Sequence, residues 1–338
     1  MNRFNPSLPA IILVLVFAGC VTPPPGIPTP SVIRSSDFVI LTAAEGDTIP
    51  SLAKDYLGDE RDGWIIREYN KKDAISPGDE VVIPLRYDRR GGLYPDGYQT
   101  VPILVYHRFG EVCRDSLCVA ADVFDEQMRF LSDNGYSVIA LKDFYDFCRL
   151  EKTIPKKSVV LTVDDGYRSF YDVAWPILRK YGYTATLFVY TDFVESGKRA
   201  LRWDELKELK EAGCEIESHS KSHADLTSKG AGMTPEQYLA WVTQELTAPK
   251  RIIEEHLDHQ TVFLAYPFGR TNPSVVKAAE NAGYLAAFTV QGRANPFFEP
   301  RYSISRTQVF NSTDIDEFRR RVTAFQEQDL RCSDSDMR

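Results

Sequence analysis

The chain has 338 residues, 43% of them apolar and 26% charged. That is the composition of a globular protein with one large core or two modest ones. The formal net charge of −8 argues against nucleic acid as the main partner.

From the N-terminus, residues 1–9 carry only Arg3 as a charge, and residues 10–18 are an unbroken apolar run. Such a run is too short to span a bilayer as a helix and suits a signal-peptide core, which predicts a leader over residues 1–20. Residues 22–30 are proline-rich, so 21–36 reads as an extended, semi-rigid linker. Residues 37–86 have their own pattern: a strand at 38–41, helices at 48–56 and 64–69, and a closing strand at 80–84. The glycine- and tyrosine-rich stretch 87–100 reads as an inter-domain linker.

Over residues 101–326 strands alternate with helices. Strands are expected at 101–106, 137–140, 158–165, 184–190, 215–218, 262–266 and 285–290. Helices are expected at 122–134 (capped by Asp122), 142–150, 170–181 (interrupted at Pro176), 203–212, 234–257, 273–282 and 313–324. Residues 327–338 read as a tail. This alternation predicts an α/β fold, either a (β/α) barrel or a doubly wound sheet. Polar residues recur where strands end, at His107, Asp164-Asp165, His219 and Tyr266-Pro267-Phe268-Gly269, which favours a barrel with its site on one face.

Carboxylates are costly to bury unpaired, so Asp164 and Asp165 belong at a strand end near a cation or solvent. His219 and His223 lie four residues apart, expected on one side of a helical turn. Two histidines and one carboxylate with an open position make a catalytic divalent-metal pattern. His256 and His259 sit among acidic residues and read as a solvated face. Tyr167, Trp175 and Phe268 fit either sugar stacking or core. Cys113 and Cys118 are five apart in a loop and read as a local disulfide clip. Besides Cys20 there are also Cys148, Cys214 and Cys332, so at least one of these five thiols stays free.

The leader ends Phe17-Ala18-Gly19-Cys20. That resembles the bacterial lipoprotein signal, with Phe17 where Leu is usual, and implies lipidation of Cys20 and a membrane anchor. Val21 carries no acidic retention signal, which by this resemblance leans to the outer membrane, facing the periplasm. Gly46-Asp47-Thr48, Leu52-Ala53, Asn70, Pro77-Gly78-Asp79 and Val82-Ile83-Pro84 resemble the βααβ LysM module, whose members bind glycans containing N-acetylglucosamine.

Thr162 to Gly166, Ser218 to His223 and Tyr266 to Gly269 resemble, in order and spacing, three motifs of the NodB-homology polysaccharide deacetylases (carbohydrate esterase family 4). The resemblance implies a distorted (β/α) barrel, usually of seven strands, after the small LysM domain. It implies metal-dependent removal of N-acetyl groups from an N-acetylglucosamine polysaccharide, peptidoglycan or poly-N-acetylglucosamine, at the cell envelope. Asp165, His219 and His223 would hold Zn²⁺ (or Co²⁺ or Ni²⁺), Asp164 would be the base, and the Phe268 N–H would support the oxyanion. Tyr167, Tyr266, Pro267 and Gly269 complete the implied substrate-binding set. The implied partners are the glycan, a membrane through the lipid anchor, and polysaccharide export machinery. Two departures stand out. Ala265 occupies the position of the family's motif Arg, and residues 302–306 lack the family's late general-acid His. The strand ending Tyr106-His107, with 264–269, resembles the poly-N-acetylglucosamine deacetylase subgroup, in which an early histidine takes that place. This implies His107 as the acid, with Arg306 serving electrostatically for the missing Arg. The departures leave two alternatives: a non-catalytic glycan-binding envelope lipoprotein, or an O-acetyl carbohydrate esterase.

Overall fold

The computed structural model describes residues 32–85, 90–94, 96–230, 232–328 and 330. The expected leader, its Cys20, the proline-rich stretch 22–30 and Cys332 lie outside them. The chain divides into two compact units, residues 1–87 and 88–338.

In the first unit, Val32–Arg34, Phe38–Thr42 and Glu80–Pro84 form an antiparallel sheet in that order. Helices Ile49–Leu57 and Gly63–Asn70 lie between the second and third strands in sequence. Thr48 caps the first helix: its hydroxyl accepts the Ser51 N–H at 3.2 Å, and Ser51 Oγ accepts the Thr48 N–H at 2.9 Å. Val39, Leu41, Ile66, Val81 and Ile83 form its buried core. Asn70 ends the second helix and acts as a strand partner. Its Oδ1 accepts the Val82 N–H at 2.9 Å, and its Nδ2 donates to the Val82 carbonyl at 2.7 Å. The βααβ order is the expected one. The added strand Val32–Arg34 falls inside the expected linker. It is an exposed edge strand, so no alternation of buried residues marks it.

The second unit is a parallel barrel. Its strands follow the order Ala286–Phe288, Phe263–Ala265, Glu215–Ser218, Thr186–Val189, Ser158–Asp165, Ile103–Tyr106 and Thr307–Gln308. A parallel bridge between Phe288 and Ile304 joins the two ends. There the Ile304 N–H donates to the Ala287 carbonyl at 3.1 Å, and the Thr289 N–H to the Ile304 carbonyl at 2.8 Å. This is the distorted (β/α) barrel expected.

The strand Ser158–Asp165 is buried along its whole length, which explains its near-continuous apolar run. Successive side chains alternate between faces. Val159, Leu161 and Val163 join the outer core with Phe124, Met128 and Leu178 of the surrounding helices. Val160 joins the inner core with Ile103, Phe188, Phe288 and Ile304. Thr162 and Asp164 continue that inner row towards the strand's C-terminal end.

Several boundaries differ from the sequence expectation. Residues 87–100 are not a bare linker. Within them Leu93–Tyr94 pairs with Gly97–Gln99, which pairs in turn with Phe325–Glu327. This pairing spans more than 200 residues of sequence, so no local pattern could reveal it. The C-terminal helix is correspondingly short, Ile315–Arg321, and opens on Asp314. Helix Ala121–Asp133 starts after Ala120, with Asp122 inside its first turn and not at its cap. Pro176 lies in the first turn of Trp175–Lys180, directly after a wide turn at Phe170–Ala174. The Cys113–Cys118 disulfide is formed, and Cys148 and Cys214 are free thiols. No helix among the described residues is long and apolar enough to cross a membrane.

Gly97 permits the terminal pairing, because a Cβ there would overlap the Gln326 carbonyl oxygen and come within 2.8 Å of the Phe325 ring. Gly97→Ala is expected to lower the second unit's stability by about 1–3 kcal/mol. Calorimetry would register this as a drop of several degrees in that unit's transition, with the first unit's unchanged.

Candidate active site

In a regular strand Asp164 and Asp165 would face opposite sides of the sheet. The backbone at Asp165 instead adopts φ +75°, which breaks the alternation and brings both carboxylates to one space. His219 Nε2 lies 3.7 Å from Asp164 Oδ2 and 3.7 Å from Asp165 Oδ1. His223 Nε2 lies 3.3 Å from Asp165 Oδ1. Ser220, His223 and Phe268 also have left-handed backbone, at φ +70°, +60° and +58°. Such residues cost on the order of 1–3 kcal/mol each and persist only where their surroundings hold them.

The surroundings do hold them. His219 is buried, and its Nδ1–H donates to the Ala265 carbonyl at 2.8 Å, leaving Nε2 as the bare nitrogen facing the carboxylates. Glu245, on the helix Pro235–Leu257, grips the turn that carries His223. Its Oε2 accepts the Ser222 N–H at 2.9 Å, its Oε1 accepts the Ser222 hydroxyl at 2.9 Å, and its carbonyl accepts the Lys221 N–H at 3.0 Å. The turn is not helical, contrary to expectation. The left-handed residues at Ser220 and His223 bring the second imidazole round instead. Asp225 accepts from Arg270 Nη1 at 2.7 Å, tying the segment after His223 to the segment after Gly269. At Gly269 itself (φ +65°) a Cβ would lie 2.7 Å from the Val290 nitrogen, so only glycine fits.

The electrostatics divide the two aspartates. Burial alone would raise Asp164, but Arg306 overrides it and holds the carboxyl at about 2. Arg306 is fully buried and pairs both ways: Nη1 donates to Oδ1 at 2.7 Å and Nη2 to Oδ2 at 2.7 Å. Its Nη1 also reaches the Thr162 hydroxyl at 3.2 Å, and its guanidinium lies 5.1 Å from the centre of the Phe188 ring. Asp165 has no such cation in contact, and burial pushes it up to about 6. Its Oδ1 is buried without a hydrogen-bond partner. Burial holds His219 neutral, at about 3, and lowers His223 as well.

One ligand atom from each of Asp165, His219 and His223 lies within 4.8 Å of the others. Neutral imidazoles with bare nitrogens and an orphaned carboxylate oxygen are the donor set a divalent cation satisfies. His107 lies within electrostatic reach of this cluster. Its Nδ1 is buried and unpartnered, and burial lowers its pKa against the pull of Asp164 and Asp165.

Aromatic rings wall the centre. The His223 ring packs 5.2 Å from Tyr190 and 4.7 Å from Phe268, and Phe193 packs 5.0 Å from Tyr167 and 5.1 Å from Tyr190. Phe268 is 55% exposed, placed as a platform and not as core. Trp175 is core. Tyr266, expected to touch substrate, instead points into the core and donates to the Tyr302 carbonyl at 3.2 Å. Pro267 is buried, and Gly269 serves close packing. His256 is exposed, as expected, and stacks on Trp203 at 4.2 Å, whereas His259 is half-buried, with its Nε2 2.8 Å from the Ile216 carbonyl. Sequence reasoning missed Glu245, Tyr190 and Phe193. Tyr190 closes the expected strand and was readable as a strand-end residue. Glu245 carried no local signal.

The barrel carries at its strand ends two histidines and one aspartate that together offer the donor set of a divalent-metal site. The polysaccharide deacetylase family model matches residues 151–287. The Bacillus subtilis (strain 168) protein YxkH, named for the polysaccharide deacetylases, is 33% identical over 209 residues, covering 62% of this chain and 71% of that protein. The poly-β-1,6-N-acetyl-D-glucosamine N-deacetylase of Staphylococcus aureus (strain MRSA252) is 26% identical over 197 residues, covering 55% of this chain and 68% of that one. Among solved structures, the Streptococcus pyogenes deacetylase PplD in complex with acetate aligns with a TM-score of 0.61 at 26% identity, over 67% of this chain and 99% of that one. The chain belongs to the polysaccharide deacetylase family.

The grip of Glu245 yields a test of the ligand geometry. Glu245→Ala is expected to weaken Zn²⁺ binding by about 10–100-fold, measured by competition with a chromophoric chelator, because it frees the turn that aims His223.

Proposed function

We propose that this chain is a metal-dependent N-deacetylase of a glycan containing N-acetylglucosamine. The observation that carries this reading is the Asp165–His219–His223 cluster beside an Asp164 that Arg306 keeps ionised. Asp165, His219 and His223 would hold the ion, with Zn²⁺ suited to this donor set and Co²⁺ or Ni²⁺ as substitutes. Bound there, such an ion polarises the amide carbonyl and brings the pKa of water towards ~7, so that even a weak carboxylate base can deprotonate it.

Asp164 takes the proton of the attacking water. The Phe268 N–H, set by its left-handed backbone, faces the oxygen on which negative charge develops. His107 gives a proton to the departing nitrogen as the C–N bond breaks, which leaves acetate and a free amine on the sugar. Its unpartnered buried nitrogen supports that role. Phe268, exposed and packed on the His223 ring, offers apolar surface to a sugar.

Arg306 supplies the cation that Ala265 cannot, which supports the catalytic reading over a non-catalytic binding protein. The relatives named for poly-β-1,6-N-acetyl-D-glucosamine support an N-acetyl substrate over an O-acetyl one. The βααβ unit supports a LysM-like glycan-binding role for residues 37–86, and the sequence around Cys20 supports lipid anchoring at the envelope, with outer-membrane placement part of the proposal.

Purified chain supplied with Zn²⁺, Co²⁺ or Ni²⁺ is expected to release acetate from N-acetylglucosamine oligomers and to lose that activity to chelator. No acetate with any of the three metals overturns the reading. His107→Ala is expected to lower kcat by about 10²–10⁴-fold with metal still bound. Unchanged turnover removes His107 as the acid.

A further inference from the structure

Of the three candidate metal ligands, His223 is the most open. Its side chain is 25% exposed, against 12% for Asp165 and 2% for His219. Metal-binding imidazoles are normally fixed through their second nitrogen, which donates to a carbonyl or carboxylate. His219 follows that rule through the Ala265 carbonyl. His223 does not. Its backbone N–H donates to the Ser220 hydroxyl at 3.0 Å, but its Nδ1 has no hydrogen-bond partner among the described residues. Glu245 grips the turn at Ser222, one residue short of the imidazole.

Rings supply what that hydrogen bond does not. Tyr190 and Phe268 both pack on the His223 ring, at 5.2 and 4.7 Å. These contacts belong to a longer run. Tyr190 stacks on Phe193 at 5.1 Å with planes 20° apart, and Phe193 packs on Tyr167 at 5.0 Å. An arginine sits at each end of the run. Arg108 lies 5.4 Å from the Tyr167 ring centre, and Arg270 lies 5.9 Å from that of Phe268. Each arginine is tied to a carboxylate, Arg108 to Asp115 at 2.6 Å and Arg270 to Asp225 at 2.7 Å.

The loop that carries Tyr190 is docked on the turn that carries His223 by bonds in which no ring takes part. The Asp192 N–H donates to the Lys221 carbonyl at 2.9 Å, and Lys221 Nζ pairs with Asp192 at 2.7 Å. Removing the Tyr190 ring therefore leaves the two segments joined and frees the imidazole.

We infer that Tyr190 is a positioning residue for His223: its ring, backed by Phe193, holds the imidazole in place of the usual hydrogen bond. This rests on the reading above that Asp165, His219 and His223 hold a divalent ion. The Phe268 ring that completes the clamp belongs to the residue whose N–H is assigned to the oxyanion, so one contact sets a metal ligand and an oxyanion donor together.

The test uses variants of the full chain and readouts that need no turnover. Tyr190→Phe keeps the ring, Tyr190→Leu removes it, and Phe193→Leu removes only its backing. In metal-free protein, proton NMR of the histidine ring C–H groups, assigned with His223→Gln, reads the pose of the imidazole. The wild type and Tyr190→Phe are expected to show His223 resonances displaced by ring current, and Tyr190→Leu a smaller displacement. Zn²⁺ affinity, measured by chelator competition, is expected to fall about tenfold in Tyr190→Leu and about threefold in Phe193→Leu, and to stay at the wild-type value in Tyr190→Phe. The Co²⁺ form of Tyr190→Leu is expected to show an altered visible absorption band. Wild-type Zn²⁺ affinity in Tyr190→Leu overturns the proposal. So does an equal loss in Tyr190→Phe, because the hydroxyl and not the ring would then be responsible. Should Tyr190→Leu fail to fold, Phe193→Leu decides, and unchanged affinity there overturns the proposal. Should the wild type bind no metal, the metal reading fails separately. The ring resonances then decide the clamp: a displacement lost in Tyr190→Leu supports it, and an unchanged one overturns it.

Discussion

A buried guanidinium and a buried carboxylate face each other at the heart of the barrel, and much of the site depends on that pair. Either charge alone would cost several kcal/mol to remove from water. Together, Arg306 and Asp164 make two 2.7 Å hydrogen bonds, with the Thr162 hydroxyl and the Phe188 ring around them. The pair is also a closure device. Arg306 follows Ile304, which bridges Phe288 on one side of the barrel, and precedes Thr307, which pairs with Leu104 on the other. The segment that closes the ring thus delivers the cation that keeps Asp164 ionised.

The second constraint is backbone geometry. Regular strand and helix geometry would send Asp165 and His223 elsewhere. Left-handed residues at Asp165, Ser220, His223 and Phe268 redirect them. The structure holds that strain with groups outside the ligand set: the Ala265 carbonyl on His219, Glu245 on the Ser222 turn, and Asp225 paired with Arg270. Ala265 therefore has a part after all. Its backbone fixes the imidazole tautomer, and its small side chain leaves the barrel interior to Arg306, Phe188 and Phe288.

How much could be read beforehand follows from how local each signal is. The strand Ser158–Asp165 announced itself by an apolar run ending in carboxylates, and the alternation of such runs with helices gave the barrel. Asp164, Asp165, His219 and His223 stood together because strand ends share one face of this architecture. Arg306 was visible as a charge, but its partner became definite only through the register between strands. Glu245 lies 23 residues from Ser222, to which it bonds, the 97–99 strand pairs with residues more than 200 away, and Val32–Arg34 is an exposed edge. None of these leaves a periodic mark. The helical turn expected at His219 to His223 failed because spacing alone cannot distinguish helix from left-handed turns at two residues.

The most direct test is turnover of Arg306→Gln, a near-isosteric neutral variant, with folding checked by circular dichroism and metal content measured per chain. The account predicts that acetate release from N-acetylglucosamine oligomers falls by about 10²-fold or more while the metal stays bound, because Asp164 loses the charge that holds it ionised and in place. A folded, metal-loaded variant that turns over at the wild-type rate would contradict it.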